Sequence, residues 1–372
     1  MKTSQFLLFL SLYLCSSGLL RAQNDRDNEI SLLFIGDIMG HDAQIISAYD
    51  SSTQSYYYEE VFSPLKPIIE KNDFTIANLE VTLAGKPHKG YPQFSSPDEL
   101  ALACKKVGMD VLVTANNHSC DRGKSGILRT CDVLDFYNLK HTGTFRNQTD
   151  KDSMNLLILE KGDLKVGLLN YTYGTNGLPF PKPSLVNLID MDSIKKDISL
   201  AKDQNPDKLM VMIHWGLEYQ TEANESQKKI AEFLFNNGVD IIIGSHPHVI
   251  QPMEYYPEMD KSSERLVVYS LGNFVSNQRK FRTDGGAMVE IKLKKDSLGT
   301  KVSEKGYYLT WVNKSTDNGK SKFEILPCAR IEQNEFEGLD QESIEKMKVF
   351  IEDSRSRLNK HNINFPEISQ AE

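Results

Sequence analysis

The strongest constraint on the fold is a repeated alternation between short apolar runs and longer, charge-rich amphipathic stretches. The apolar runs have the length of buried strands, and the stretches between them have the length and periodicity of helices. This order of elements is typical of α/β proteins. The sequence predicts strands at residues 30–35, 74–77, 110–114, 164–170, 208–213, 239–243 and 266–270. It predicts helices at residues 65–72, 97–108, 126–137, 194–204 and 226–237.

The pattern changes after residue 285. Alternating apolar and polar residues there indicate antiparallel strands at residues 288–293, 307–312 and 322–326. A final helix is predicted at residues 340–358, and its charged face places it at the periphery. We therefore expect a main domain at residues 30–290, and a C-terminal part at residues 291–372 that completes its layers or packs at their edge.

Residues that can bind metal ions follow five of the predicted strands. They are Asp37, Glu80, Asn117, His214, and the pair His246 and His248. In open α/β sheets, ligand sites form beyond the carboxyl ends of the strands. Four of the eight histidines in the chain, including His118, lie just after predicted strands. The sequence therefore predicts one polar site at these strand ends.

Each of these residues has an ordinary structural explanation when it is taken alone. A Gly-Asp pair after a strand is more often a turn or a helix cap than a metal ligand. By the same reasoning, Glu80 is a solvated carboxylate, Asn117 a turn residue and His214 a hydrogen-bonded core histidine. The His-Pro-His segment at 246–248 is more specific, because two imidazoles on a stiff loop can serve adjacent ions. Their coincidence at strand ends favours a metal site.

The chemistry of this set suits a particular class of ion. Imidazole nitrogens combined with carboxylates and an amide oxygen favour Zn, Mn or Fe over Ca, which prefers oxygen ligands. Two such ions can lower the pKa of a water and hold a substrate oxygen. A neighbouring histidine that is not a ligand can protonate the leaving group. We therefore expect one or two divalent ions as cofactors.

Residues 1–22 have the pattern of a secretory signal peptide. Its apolar core at residues 6–14 is shorter than the roughly 20 residues that a membrane-spanning helix needs. A second interpretation makes Cys15 a lipidated first residue, but a bulky leucine precedes it. We expect an exported protein, periplasmic or associated with the cell surface, whose mature chain begins at Gln23.

Charge and cysteine content limit the function further. The chain has 43 basic and 51 acidic residues, a net charge of −8, which argues against nucleic acid as a partner. After export, the cysteines Cys104, Cys120, Cys131 and Cys328 allow three disulfide pairings. Cys120 and Cys131 are close enough in the chain to form a bridge, and buried free thiols are the alternative.

Six short motifs follow the predicted strands in a fixed order. They are Gly36-Asp37-Ile38-Met39, Asn78-Leu79-Glu80, Ala115-Asn116-Asn117-His118, His214-Trp215-Gly216, Gly244-Ser245-His246-Pro247-His248 and Tyr269-Ser270-Leu271-Gly272-Asn273-Phe274. Together they resemble the motifs of the CapA/PgsA-type capsule synthesis proteins. That family is linked to poly-γ-glutamate capsules and is related in fold to calcineurin-like metallophosphoesterases. The resemblance implies a four-layer α/β/β/α sandwich with two central mixed sheets.

The resemblance also implies roles for individual residues. The implied metal ligands are Asp37, Glu80, Asn117, His214, His246 and His248. Glu80 stands where these phosphoesterases have an aspartate that bridges two ions. His118 resembles the histidine that protonates the leaving group. The residues expected to position ligands or substrate are Asn78, Asp121, Glu218 and Asn273.

Two positions depart from the phosphoesterase pattern. Met39 stands where the Asp-x-His motif has its histidine, so one metal site lacks a ligand. His41 could replace it, and the other interpretation of His41 is a turn residue. Glu80 in place of aspartate moves its carboxylate by one methylene.

These features predict an exported protein of capsule or poly-γ-glutamate biosynthesis or processing, with a metal-dependent, hydrolase-like site. Its expected substrate is an anionic polymer or a small anionic molecule, and components of a membrane capsule synthase are candidate partners. The alternative is a non-catalytic component that binds or guides the polymer for such a synthase. Met39 favours this alternative, whereas the Asn117-His118 pair favours the enzyme.

Overall fold

The computed structural model describes residues 28–259, 263–317, 319–335 and 337–368. The predicted signal peptide and Cys15 lie outside the described residues. The strands are β1 (Glu29–Ile38), β2 (Tyr49–Asp50), β3 (Ser55–Tyr56), β4 (Phe74–Leu79), β5 (Val111–Val113), β6 (Lys140–Thr142), β7 (Thr144–Phe145), β8 (Leu157–Lys161), β9 (Leu164–Thr172), β10 (Leu185–Val186), β11 (Lys208–His214), β12 (Ile241–Ser245), β13 (Met253–Tyr256), β14 (Arg265–Val268), β15 (Asn273–Val275), β16 (Gly285–Asp296), β17 (Gly299–Asp317) and β18 (Lys320–Pro327). The α-helices are α1 (Asp42–Ala48), α2 (Glu59–Phe62), α3 (Lys66–Ile69), α4 (Glu99–Val107), α5 (Gly123–Phe136), α6 (Gln148–Met154), α7 (Met191–Asp203), α8 (Glu225–Asn236) and α9 (Gln341–His361).

Two large mixed sheets form the centre of the molecule. In the first sheet the order is β18-β17-β16-β1-β4-β5-β6, and β15 pairs with the end of β1. In the second the order is β13-β14-β12-β11-β9-β8. In the second sheet the middle strands are parallel, and an antiparallel strand lies at each edge. In the first sheet the strands from β1 to β6 in this order are parallel, and antiparallel strands extend the other side of β1. The carboxyl ends of the parallel strands therefore lie together at one edge of each sheet.

The two sheets pack face to face, with helices on their outer faces. Alternate residues of β1, such as Leu32, share one buried cluster with Met210 of β11. The opposite face of β1, including Leu33, packs against α4 and α5 through residues such as Cys104. The outer face of the second sheet packs against α7 and α8. Because strand side chains alternate between faces, each central strand contributes to two cores. The expected four-layer α/β/β/α sandwich is confirmed.

The C-terminal strands are continuous with the first sheet. β16 pairs with β1 in an antiparallel register, and β17 and β18 extend the sheet beyond it. The apolar face of α9, including Met347, Phe350 and Leu358, joins the cluster between the two sheets. The charged face of α9 remains exposed, which explains its amphipathic sequence.

Most predicted elements match observed ones, and one helix prediction is wrong in extent. The helix expected at residues 65–72 is only α3, preceded by the 3-10 segment Ser63–Leu65. Pro64 and Pro67 lie in the first turns of these two segments, and their missing amide hydrogens interrupt the hydrogen bonding of any single helix that would run through them. By contrast, α4 ends where expected, because Gly108 adopts a φ of 106° that a glycine tolerates.

All four cysteines of the described residues are buried and free, so neither Cys120–Cys131 nor any other bridge forms among them. Burial raises the pKa of the Cys131 thiol to about 11. The free-thiol interpretation therefore holds. In the described ranges no helix has the length and apolar character that crossing a membrane would require.

Candidate metal centre

The first sheet brings three polar side chains together at the carboxyl end of β1. Asp37 pairs in register with Asn78 of β4 and with Asn273 of β15. The amide Nδ2 of Asn78 donates to Asp37 Oδ1 at 2.8 Å. All three side chains are buried. The strand order, rather than proximity along the chain, therefore places these residues side by side.

The second sheet supplies the histidines. His214 is the last residue of β11, and its Nδ1 lies 2.9 Å from the hydroxyl of Ser245 at the end of β12. His246 and His248 follow directly, with φ angles of 99° and 59°. Left-handed backbone is uncommon for residues other than glycine, and such strain concentrates at functional sites. The imidazole rings of His214 and His246 lie 4.7 Å apart between centroids.

Glu80 connects the two sheets. It follows β4 and is fully buried, with Oε1 at 3.6 Å from His214 Nε2 and 3.9 Å from His248 Nε2. Two groups of side chains have ligand atoms within 4.8 Å of one another, and the groups are Glu80–His246–His248 and Asp37–Glu80–His214. Because Glu80 belongs to both, its position is that of a residue able to bridge two ions.

The buried charges at this point lack a basic partner. Among the described residues, the ion-pair contacts of Asp37 and Glu80 are with histidines, not with lysine or arginine. Burial and the neighbouring Asp37 carboxylate raise the pKa of Glu80 well above its usual range. Burial, together with the other histidines, lowers the pKa of His214, and it lowers that of His246 to about 4. The lowered pKa favours the neutral form of the His214 and His246 imidazoles, which is the form that binds metal ions.

The unpaired atoms of the site fit a divalent cation. Glu80 Oε1 and His246 Nδ1 are buried and have no hydrogen-bond partner. Buried polar atoms without partners are uncommon and costly, so each such atom needs an explanation. A cation would satisfy both atoms and balance the two carboxylates. The mixture of imidazole nitrogen and carboxylate oxygen suits Zn, Mn or Fe.

Asn117 and His118 are adjacent but have different partners. Asn117 Oδ1 lies 3.0 Å from His214 Nε2, beside the atoms that would hold an ion. His118 Nδ1 instead lies 2.8 Å from Asp121 Oδ2, and this carboxylate also accepts the Phe94 amide hydrogen. His118 belongs to neither ligand group. A ring held at Nδ1 keeps Nε2 available for a proton.

Asn273 and Glu218 take different positions relative to these histidines. Asn273 Oδ1 lies 3.0 Å from His248 Nδ1, so Asn273 fixes the orientation of that ring. This is the contact expected of a residue that supports a metal ligand. Glu218 is exposed, and its charge is one of the smaller causes that raise the pKa of Glu80.

Neither Met39 of the first motif nor the nearby His41 belongs to the two ligand groups. Met39 is buried among apolar side chains. His41 is the residue that precedes α1, and its Nδ1 lies 3.1 Å from Gln44 Oε1. Burial lowers the pKa of His41 to about 4, and the nearby His248 and His118 contribute to this shift.

Two tyrosines that the sequence analysis did not identify as site residues border the site. The ring of Tyr173 is nearly parallel to that of His214, with 6.2 Å between centroids, and lies 4.6 Å from His246. The ring of Tyr219 lies 6.2 Å from His248. Tyr173 follows β9 directly, so the rule that identified the other strand-end residues also applies to it.

Comparisons with known proteins identify the family of the chain. The family model described as "Bacterial capsule synthesis protein PGA_cap" matches residues 31–278. The capsule biosynthesis protein CapA of Bacillus anthracis is 30% identical over 283 residues, which cover 72% of this chain and 65% of that protein. The chain thus spans just under two thirds of that relative. The PGA biosynthesis protein CapA of Bacillus subtilis (strain 168) is 29% identical over 283 residues, covering 73% of this chain and 70% of that protein.

Solved structures with similar folds are more distant in sequence. The NAD nucleotidase of Haemophilus influenzae aligns with a TM-score of 0.50 and 13% identity, over 88% of this chain and 68% of that one. A calcineurin-like phosphoesterase of Bacillus subtilis aligns with a TM-score of 0.44 and 14% identity, over 89% of this chain and 98% of that one. At 13% identity the likeness to the nucleotidase concerns the fold alone.

Proposed function

The chain belongs to the bacterial capsule synthesis protein family PGA_cap, and on that premise we propose that it is an exported, metal-dependent hydrolase acting in poly-γ-glutamate or capsule metabolism. The observation that supports this most strongly is the buried group around Glu80. Two carboxylates and three histidines meet there from both sheets, and lysine and arginine partners are absent among the described residues. Such a group is stable as a cation site and costly without one.

The residues of the chain divide into ligands and groups that act on the substrate. The ligands would be Asp37, Glu80, Asn117, His214, His246 and His248. A bound divalent ion supplies a Lewis acid for an anionic oxygen and lowers the pKa of water. His118, whose Nδ1 contacts Asp121, would donate a proton to the leaving group. Asn78 and Asn273 fix Asp37 and His248 through hydrogen bonds.

The proposed substrate is an anionic polymer with γ-glutamyl linkages or a smaller anionic molecule. The overall charge of −8 would repel such a substrate at long range. Its capture would therefore depend on local positive charge, supplied in part by the metal ions. Components of a membrane capsule synthase are the proposed protein partners, and no role in nucleic-acid binding is proposed.

Metal content tests this proposal. We expect that His246→Ala with His248→Ala removes bound Zn, Mn or Fe while the circular dichroism spectrum stays close to that of the wild type. His361→Ala, on α9 and outside both ligand groups, is the matched control and should keep its metal. Metal content of the double variant equal to that of the wild type would show that these histidines are structural.

A second function is favoured by Met39. Because a buried methionine replaces the first-motif histidine, the site has one ligand fewer than the phosphoesterase pattern. The second proposal is therefore a component that binds the polymer and presents it to a synthase. Wild-type protein that binds metal and polymer, but hydrolyses neither γ-glutamyl chains nor phosphodiesters, would favour this function over the hydrolase.

A further inference from the structure

A group of positive side chains lies beside the metal centre, on the segment between β15 and β16 and on the neighbouring strand β17. We define the cationic patch as Arg279, Lys280 and Lys314. All three are exposed residues. The chain as a whole is negative, so a local concentration of positive charge at this position requires an explanation.

The residues of the patch form no ion pair with a carboxylate in the described part of the chain. Arg279 donates to the main-chain oxygen of Val312 at 2.9 Å, and Lys314 donates to Asn277 Oδ1 at 2.9 Å. The Lys280 ammonium lies 3.9 Å from the centre of the Tyr219 ring. The hydrogen-bond and ring partners of the three side chains are thus neutral groups, and the charges of Lys280 and Lys314 remain available to an anion.

The adjacent arginine behaves differently. Arg282 donates from Nε to Asp353 of α9 at 2.7 Å and forms a second contact with the same carboxylate. This bidentate pair anchors the segment to α9. The difference shows that carboxylates are within reach of this segment, yet the patch itself is left unpaired.

Keeping these charges together has a cost. Partial desolvation lowers the pKa of Lys314, although its side chain is exposed, and the neighbouring Arg279 lowers it further. Partial desolvation by the surrounding protein atoms also lowers the pKa of Arg279, and the Asp284 carboxylate opposes this shift. The surroundings of Lys314 and Arg279 therefore disfavour their charged forms. An anion bound at this position would relieve the repulsion between the two side chains.

The patch is positioned by a residue that also orients a metal-centre histidine. Asn273 Nδ2 donates to the main-chain oxygen of Thr283 at 2.8 Å and to Gln278 Oε1 at 3.0 Å. Its Oδ1 is 3.0 Å from His248 Nδ1. On the other side, Tyr219 lies between Lys280 and the His248 ring. The patch and the metal centre are therefore held at a fixed separation.

A groove of about 600 Å³ runs from the patch along α9. Its acidic side chains on α9 already have partners, since Glu342 pairs with Lys346, and Glu345 with Lys348. Asp284 accepts the indole hydrogen of Trp311. The Asp284 carboxylate also acts on the charge of Arg279. Lys280 and Lys314 are therefore the patch residues that carry the positive charge available to an anion on this wall of the groove.

We propose that the cationic patch is a subsite that binds carboxylates of an anionic chain, a segment of which lies at the metal centre. The choice of a carboxylate chain rests on the proposed function in poly-γ-glutamate metabolism. The subsite itself rests on the unpaired charges and on their attachment to Asn273. It gives a negative protein a local means of holding a polyanion.

The test is the affinity of a fluorescent γ-glutamate oligomer for the purified protein at two salt concentrations. Lys280→Glu and Lys314→Glu should each weaken binding by about fivefold or more, because reversing the charge removes an attraction and adds a repulsion. Lys195→Glu makes the same change on an exposed residue of α7 and should leave the affinity unchanged. Binding to the wild type should weaken as salt is raised.

Three outcomes would overturn the inference. They are wild-type affinity in both patch variants, no binding of the oligomer to the wild type, and a patch-dependent preference for polyphosphate over the γ-glutamate chain. Because binding is measured without turnover, the subsite and the hydrolase can fail separately. Patch-dependent binding by a protein that shows no hydrolysis would support the subsite and contradict only the catalytic proposal.

Discussion

At the scale of single residues, the site is defined by what its buried atoms lack. Asp37 and Glu80 are both fully buried. Among the described residues their ion-pair contacts are with histidines, and neither carboxylate pairs with a lysine or an arginine. An uncompensated buried charge costs several kcal/mol in general, so a carboxylate pair of this kind is maintained only where something balances it. A divalent cation is the simplest balance for two carboxylates and neutral imidazoles.

The hydrolase proposal and the binding-protein proposal predict different results for a substitution of His118. We expect His118→Ala to keep its metal and to turn over a γ-glutamyl or phosphodiester substrate about 10²–10⁴-fold more slowly, which is the usual loss on removing a general acid. Turnover and metal content are measured on the same samples. Loss of metal would instead make His118 a ligand, and unchanged turnover would remove it from the chemistry.

Asp121→Asn is the matched variant for the His118 test. It keeps the size of the side chain that contacts His118 and Phe94 but removes its charge. A smaller loss of turnover than in His118→Ala, again with metal retained, is expected of a residue that only orients the histidine.

At the scale of strands and turns, the site depends on close contacts between backbones. A Cβ at Gly36, just before Asp37, would lie 2.2 Å from the carbonyl oxygen of Gly272. The amide of Asp37 donates to that same oxygen at 3.1 Å. Glycine at this position therefore allows β1 to approach the segment that carries Asn273, and the ligand geometry depends on this approach.

Gly36→Ala should accordingly destabilise the protein and disturb the site. We expect a loss of about 1–3 kcal/mol in the free energy of unfolding, as for overpacked cores, together with weaker metal binding. Gly174→Ala is the control, because a Cβ there would meet no atom within 4 Å. Urea denaturation of the three proteins checks this. Equal midpoints for Gly36→Ala and Gly174→Ala would show that β1 can move without cost.

A buried histidine on β6 gives a pH dependence that does not involve the metal centre. Burial lowers the pKa of His141, and the Asp135 carboxylate at 3.1 Å only partly offsets this effect. An unfolded chain therefore takes up a proton near pH 6.5 that the folded chain does not, so His141 costs stability as the pH falls below that value.

We expect the stability of the wild type, relative to His141→Gln, to decrease as the pH is lowered from 8 to 5. The slope of this difference is at most about 1.4 kcal/mol per pH unit for one proton. Denaturation at a series of pH values measures it. A difference that stays constant with pH would show that His141 titrates alike in both states.

Strand and helix periodicity was enough to predict an α/β protein, because residues buried on both faces of a sheet form continuous apolar runs. The two central sheets of the four-layer sandwich were implied by the family resemblance and not by the periodicity. The strand-end rule likewise located Asp37, Glu80 and His214. It could not show that Asn273 lies beside Asp37, since that contact arises from β15 pairing with β1 across more than 200 residues of chain. Short elements such as α1 and α6 were not predicted, because they are too short for helical periodicity to be visible.

At the scale of the whole molecule, the site lies where the two sheets meet. Asp37 and Glu80 come from the first sheet and the histidines from the second, so a ligand group forms only when the sheets are packed correctly. The core between the sheets includes residues of the C-terminal strands and of α9. Folding of the C-terminal part and assembly of the site are therefore connected.

Anomalous X-ray scattering from crystals grown with Zn or Mn tests the metal centre at the level of atoms. We expect one or two peaks beside the Glu80 carboxylate, at about 2.0–2.2 Å from its oxygen and from the ring nitrogens of the surrounding histidines if Zn is bound. In crystals of His246→Ala with His248→Ala the peaks should be lost. An intact fold without an anomalous peak at Glu80, from protein supplied with each metal, would contradict the proposed metal centre.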